Sequence, residues 1–145
     1  MVVDRISISA DHLGDLVVLD HVEVVADKGL VGDRHFGNKA RHVSIQSREE
    51  LAVASERLGR QISADATRRN ITISAGLLPR IRGQRIVVGS SVLEVFADAA
   101  PCELMEQLSG PGARAALKRL AGIHCRVISS GQISVGDILR PGNDL

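Results

Sequence analysis

Short apolar runs, each ended within a few positions by a turn-forming residue, constrain the fold of this chain more than any other feature. Residues 2–9, 21–26, 43–46, 69–74, 84–88, 91–97, 124–129 and 133–140 are rich in Val, Ile or Leu and mostly alternate them with polar side chains. A spacing near two is the period of a strand with one covered face. Asp27-Lys28-Gly29, Gly89-Ser90 and Ser130-Gly131 supply turns between runs, and the Gly89-Ser90 pair predicts a hairpin. Helical spacing is confined to three short stretches. Ser47-Arg48-Glu49-Glu50 has the form of a capping box, followed by Leu51, Ala54 and Leu58 on one face and Gly59 as a stop. A second helix is expected from Cys102 to the Ser109-Gly110-Pro111-Gly112 break, with Leu104, Met105 and Leu108 on one stripe, and a third over 113–121 with Gly122 as its stop.

The expected class is therefore mainly β (α+β): about seven short strands with three short helices, at the turn spacing of a barrel or sandwich. Helices and strands do not alternate regularly, which argues against a doubly wound parallel sheet. A length of 145 residues suits a single domain over 1–145. With two Phe, no Tyr and no Trp, the core has to be built from aliphatic side chains. Stacking platforms for single-stranded bases are nearly absent, so no nucleic-acid partner is expected. A net charge of +1 gives no overall field toward a polyanion or an anionic membrane. No apolar run approaches the roughly 20 residues of a membrane span. Met1-Val2-Val3-Asp4-Arg5-Ile6 lacks a signal-peptide pattern, so the expected location is cytoplasmic.

Chemistry concentrates on a few positions. Cys102, in Ala99-Ala100-Pro101-Cys102-Glu103-Leu104, stands where a strand-like run gives way to a helix. Free backbone N–H groups and the positive end of a helix favour a thiolate there; the other reading is an inert buried thiol. Cys125 lies inside a strand pattern and reads as core, and no CxxC or zinc spacing occurs. Gly32-Asp33-Arg34-His35 occupies a polar loop, where Asp can orient a neighbour and Arg-His can donate to an anion; a solvated turn is the alternative. Arg68-Arg69-Asn70 precedes a strand, and adjacent side chains on a strand point to opposite faces, so only one arginine is expected in any one pocket. Arg68 with Asn70 could grip a phosphate or polar heterocycle, or both arginines could be solvated. Arg80, Arg82 and Arg85 read as a solvated loop, and His12, His21 and His42 as too scattered for a metal site. Walker, GxGxxG and GxSxG patterns are absent.

Six blocks in order resemble the MOSC domain, named for the C-terminal part of molybdenum-cofactor sulfurase. They are Lys28-Gly29-Leu30-Val31-Gly32-Asp33-Arg34-His35, Val43-Ser44-Ile45-Gln46-Ser47, Arg68-Arg69-Asn70-Ile71-Thr72, residues 83–89, Pro101-Cys102 and residues 131–137. The resemblance implies a MOSC-like β-barrel with peripheral helices and a functional thiol at Cys102, which either ligates molybdenum of a pterin cofactor or carries sulfane sulfur as a persulfide. It further implies cofactor contacts from Arg34, His35, Arg68 and Asn70, and an association with reduction of N-hydroxylated compounds. Pyridoxal phosphate is not expected. Partners would be the molybdenum cofactor or a small-molecule substrate, and an electron- or sulfur-donor protein. Ala66-Thr67 stands where relatives often carry an aromatic, which implies a more open pocket wall. A third reading, a non-catalytic binding module with an inert thiol, is distinguished by slow alkylation of Cys102.

Overall fold

The computed structural model describes residues 1–142; residues 143–145, which the expected domain includes, lie outside the described part. Among the described residues eleven strands form, not seven: β1 (Val3–Ile8), β2 (Val17–Leu19), β3 (His21–Val25), β4 (Gly29–Leu30), β5 (Val43–Ser47), β6 (Ile71–Ile73), β7 (Arg85–Val88), β8 (Ser91–Asp98), β9 (Ile123–Ser129), β10 (Gly131–Ser134) and β11 (Leu139–Pro141). Four helices accompany them: α1 (Arg48–Leu58), α2 (Ala64–Thr67), α3 (Glu103–Ser109) and α4 (Ala113–Ala116). The mainly β, α+β class holds.

Eight strands make one sheet in the order β11-β7-β8-β9-β5-β6-β1-β2, and β10-β3-β4 make a second. The ladders leave the large sheet open, so it is a curved sheet more than a closed barrel. A single bridge, Val2 to Ile138, draws its two ends together. All pairings are antiparallel except β5 with β6, which run parallel because α1 and α2 cross between them. Gly89-Ser90 forms the expected two-residue hairpin, with Val88 opposite Ser91. The Ser130-Gly131 turn is different: β10 leaves β9 and pairs with β3. The run over 133–140 is split, because Ser134 and Asp137 close a turn of their own, Asp137 N–H to Ser134 O at 3.0 Å.

The core is aliphatic, as the composition requires. Ile123, Ile45, Ile71 and Ile6 stand opposite one another across β9, β5, β6 and β1 and are all fully buried. Cys125 sits in the same sheet, opposite Val43 and Val95, and burial pushes its thiol far above the ordinary range. A smaller cluster of Leu51, Ala54, Ile62, Met105 and Leu117 packs the helices together. Gly122 lets the chain pass close to β5: a Cβ there would lie 2.2 Å from the Ile45 carbonyl, and its φ of +98° is one that L residues avoid.

Two sequence expectations fail here for the same reason. Ser47 makes no side-chain cap at α1; its hydroxyl donates to Gly76 O at 2.6 Å. Glu50 does not turn back to Ser47 but is buried and ion-paired with Arg80 at 2.6 Å. Tertiary partners from residues 76–80 displace the local box. Arg80, expected to be solvated, also binds Asp98 at 2.8 Å. Arg82 and Arg85 are exposed, the first over the Phe96 ring and the second beside Glu94. The helix expected over 113–121 stops at Ala116, and turns follow. The structure adds α2, a single turn capped by Ser63, whose hydroxyl accepts from the Ala66 N–H.

Candidate functional site

Strand ends converge at one end of the large sheet: the end of β1, the starts of β5, β6 and β9, and the segment after β8. Between them lies a cavity of about 230 Å³ lined by, among others, Asp33, His35, Arg69, Cys102 and His124. Cys102, Arg34, His35, Arg68 and Asn70 all reach its wall, so the structure brings these five candidate positions together. A larger groove of about 790 Å³ runs along α1 and α2, but it holds no thiol or histidine. Two of its arginines are already paired, Arg5 with Asp65 and Arg48 with Asp4.

Cys102 occupies the N-cap position of α3 and is exposed, but its sulfur makes no bond to the helix N–H groups. Glu103 and Glu106 occupy the first turn, where they oppose a second negative charge. The cation that faces the thiol is therefore not the helix end but Arg69. The segment carrying the cysteine is tied down residue by residue. Asp98 binds Arg80, the Ala99 N–H donates to Gly122 O at 2.9 Å, and Ala100 O accepts from Arg69 Nη2 at 3.2 Å.

Arg68 and Arg69 both face the cavity, contrary to the expectation of one. Arg68 is not in a strand: it caps α2 in the left-handed conformation, φ 56°, so the alternation of a pleated strand does not apply to it. Its guanidinium closes the 9–14 loop, donating to Gly14 O at 2.7 Å and Ser9 Oγ at 3.2 Å. Arg69 lies deeper. Its Nε donates to Ala121 O at 2.8 Å, and among the described residues it has no carboxylate within ion-pair distance. Burial lowers it to about 10, partly offset by its proximity to Cys102 and Asp98. Arg69 is a cavity residue that sequence reasoning passed over in favour of Arg68. The buried carbonyl partners that hold it leave no trace in a sequence pattern.

Asn70 uses both ends of its amide inside the protein. Its Oδ1 accepts from Ser44 N–H at 3.0 Å and Ser44 Oγ at 3.1 Å. Its Nδ2 donates to Ser7 O at 3.1 Å and Asp33 Oδ1 at 3.3 Å. The loop bearing Asp33, Arg34 and His35 is anchored at its far end by buried His42. One ring nitrogen of His42 bonds Asn38 O at 2.7 Å and the other accepts from the Val127 N–H at 3.0 Å. His12, Arg41 and His124 also line the cavity. Among the described residues no three His, Cys, Asp or Glu side chains are grouped to hold a metal.

His124 is lowered to about 4, by burial first and then by Arg69, Arg41 and His35. It is a neutral imidazole at pH 7. Unfolding exposes it at an ordinary value of about 6.5, so the unfolded chain binds the extra proton between about pH 6.5 and about pH 4. Stability is expected to fall as pH drops through that window, by about 3 kcal/mol at most. In His124→Gln that part of the acid sensitivity disappears from denaturant midpoints measured against pH.

The open, mainly antiparallel sheet is a fold shared with known structures. The chain is similar to the YUAD protein from Bacillus subtilis, with a TM-score of 0.83 at 20% identity over 96% of this chain and 94% of that one. It is also similar to YiiM from Geobacillus stearothermophilus, with a TM-score of 0.70 at 21% identity over 94% and 72% of the two chains. YiiM from Escherichia coli gives 0.73 at 17% identity over 100% and 71%. The model of the MOSC domain matches residues 32–140, and the chain belongs to that family. No curated protein matches it. No helix among the described residues is long and apolar enough to cross a membrane.

Proposed function

We propose that the cavity binds a molybdenum-pterin cofactor, with Cys102 as the protein's ligand to the metal, and that the loaded protein reduces N-hydroxylated small molecules. Arg69 carries the reading. A guanidinium sunk in a cavity wall, bonded to carbonyl oxygens and facing a thiol with no carboxylate partner among the described residues, calls for a compensating anion. A phosphorylated, metal-bearing ligand brings one.

The residues present fit that group. A metal held by one thiol must arrive with its other ligands, and the paired sulfurs of a pterin cofactor provide them; a soft thiolate completes a soft set. About 230 Å³ is below the roughly 300–1,000 Å³ of clefts that enclose a drug-sized ligand, so the cavity would enclose only part of a group of that size. When bound, the group supplies two-electron redox chemistry. This chain's residues supply the remainder: Cys102 ligates, Arg69 with Arg34 offsets anionic charge, and neutral His124 offers a hydrogen bond without adding charge. Arg68 and Asn70 hold the walls. Electrons come from a donor protein.

The exposure of Cys102 favours a second reading on the same thiol, a sulfur carrier that holds a persulfide and passes it on. Elemental analysis separates the two. Protein purified from cells with intact cofactor synthesis is expected to carry about one molybdenum per chain, given its single thiol ligand. Cyanide-releasable sulfur without metal assigns the carrier reading, and the absence of both overturns the two together.

A further inference from the structure

The Asp33–His35 pair sits on the cavity wall and neither role of Cys102 uses it. Asp33 is 3% exposed at its side chain, and both its oxygens accept. Oδ1 takes the Ser9 N–H at 3.1 Å and the Asn70 amide at 3.3 Å. Oδ2 takes the His35 N–H at 3.2 Å and meets His35 Nδ1 at 3.1 Å. Burial alone would raise the Asp33 carboxyl; the bonds from His35 and Ser9 outweigh it and hold the group below its ordinary value.

An ionised carboxylate only accepts, so the ring hydrogen is on Nδ1 and the tautomer of His35 is fixed. The atom left to gain and lose a proton is Nε2. It has no hydrogen-bond partner among the described residues, and the side chain, 31% exposed, lines the cavity with Cys102. The charged and titratable groups around that cavity are Asp33, Arg34 and Arg41 on the loop of His35 itself, and His12 after β1. Arg68 and Arg69 follow α2, Cys102 precedes α3, and His124 belongs to β9. Of these only Asp33 bonds the imidazole.

Resting on the reading of the cavity as a site of N–O reduction, we infer that His35 is its proton donor, with Asp33 and Asn70 as positioning residues. The step balances as R–NH–OH plus two electrons and two protons giving R–NH2 and water. The two electrons that break the N–O bond would be supplied by the bound cofactor, which an external one-electron reductant would replenish. The departing oxygen takes the proton from His35 Nε2 and leaves as water. The nitrogen takes its proton from solvent, and solvent reprotonates His35.

The test follows reduction of phenylhydroxylamine by reduced methyl viologen in molybdenum-loaded protein, from about pH 5 to about pH 9. Wild-type kcat is expected to fall as pH rises, because the step draws a proton from the protein. His35→Gln lowers kcat about 100-fold or more and removes that fall while keeping its molybdenum content and circular dichroism spectrum; His35→Asn behaves alike. Long-range proton–nitrogen spectra of the metal-free protein give a readout independent of turnover. They place the ring hydrogen on Nδ1 in the wild type and on Nε2 in Asp33→Asn. Wild-type turnover matched by His35→Gln overturns this inference alone. Molybdenum-loaded wild type without turnover overturns the N–O reading and this inference with it. A wild-type ring protonated at Nε2 overturns the positioning by Asp33.

Discussion

Alanine in place of Arg80 is expected to destabilise the protein by about 3–5 kcal/mol, the cost of breaking a buried ion pair from one side. Glu50 is 1% exposed in the first turn of α1. Its carboxylate meets Arg80 at 2.6 and 2.9 Å and accepts from the Leu78 N–H at 2.8 Å. Without Arg80 the carboxylate keeps one backbone N–H and loses its cation, and removing a charge's partner inside a protein costs more than removing the pair. The double variant Glu50→Leu with Arg80→Met is therefore expected to recover most of the loss. Arg82→Ala is the contrast: its guanidinium lies over Phe96, 4.8 Å from the ring centroid, on an exposed loop, and its removal is worth about 0.5–1 kcal/mol. Urea midpoints at constant slope measure all three. Equal losses for Arg80→Ala and Arg82→Ala would contradict the arrangement. The effect reaches the site, because Arg80 also holds Asp98 at the end of β8, four residues before Cys102.

Asn70→Ala is expected to come close to that loss. It strands the Ser44 N–H, the Ser7 carbonyl and one bond to Asp33, at about 1–3 kcal/mol for each buried group left unpaired. Asn70→Asp is the sharper probe. It keeps the acceptor toward Ser44 but sets an anion where Nδ2 now donates to Asp33 Oδ1 at 3.3 Å. At pH 7 it is expected to be less stable than the alanine variant, with the gap closing as pH falls and the carboxylate pair, raised by burial and like charge, takes up a proton. An Asn70→Asp protein as stable at pH 7 as Asn70→Ala would mean that the amide does not support Asp33.

The strand rhythm, the Gly89-Ser90 hairpin and the core place of Cys125 were legible because each rests on local pattern: period two, a turn dipeptide, an apolar flank. The capping box was misread because Ser47 and Glu50 satisfy a local rule while being covered by residues 76–80, and covered polar groups take the partners that cover them. β2 and β4 escaped notice because runs of three and two residues carry no period. Arg69 escaped because the alternation rule was applied ahead of β6, which begins at Ile71, and across a left-handed Arg68. The sequence pointed to several residues that the fold gathers around one cavity, but not to how they are bonded there. Asp33 and His35 are neighbours in one motif, but Asn70 is distant in sequence, and only the fold joins it to them in one hydrogen-bonded chain.

The account turns on whether Cys102 holds a metal, and molybdenum content per chain in Cys102→Ser and Cys125→Ser, each purified beside the wild type from cells making the cofactor, tests that directly. The expected result is near-complete loss in Cys102→Ser, whose hydroxyl is a poor ligand for a soft centre. Cys125→Ser should retain metal in whatever fraction stays folded, since its thiol is buried in the sheet. Molybdenum retained at the wild-type level in Cys102→Ser would contradict the account.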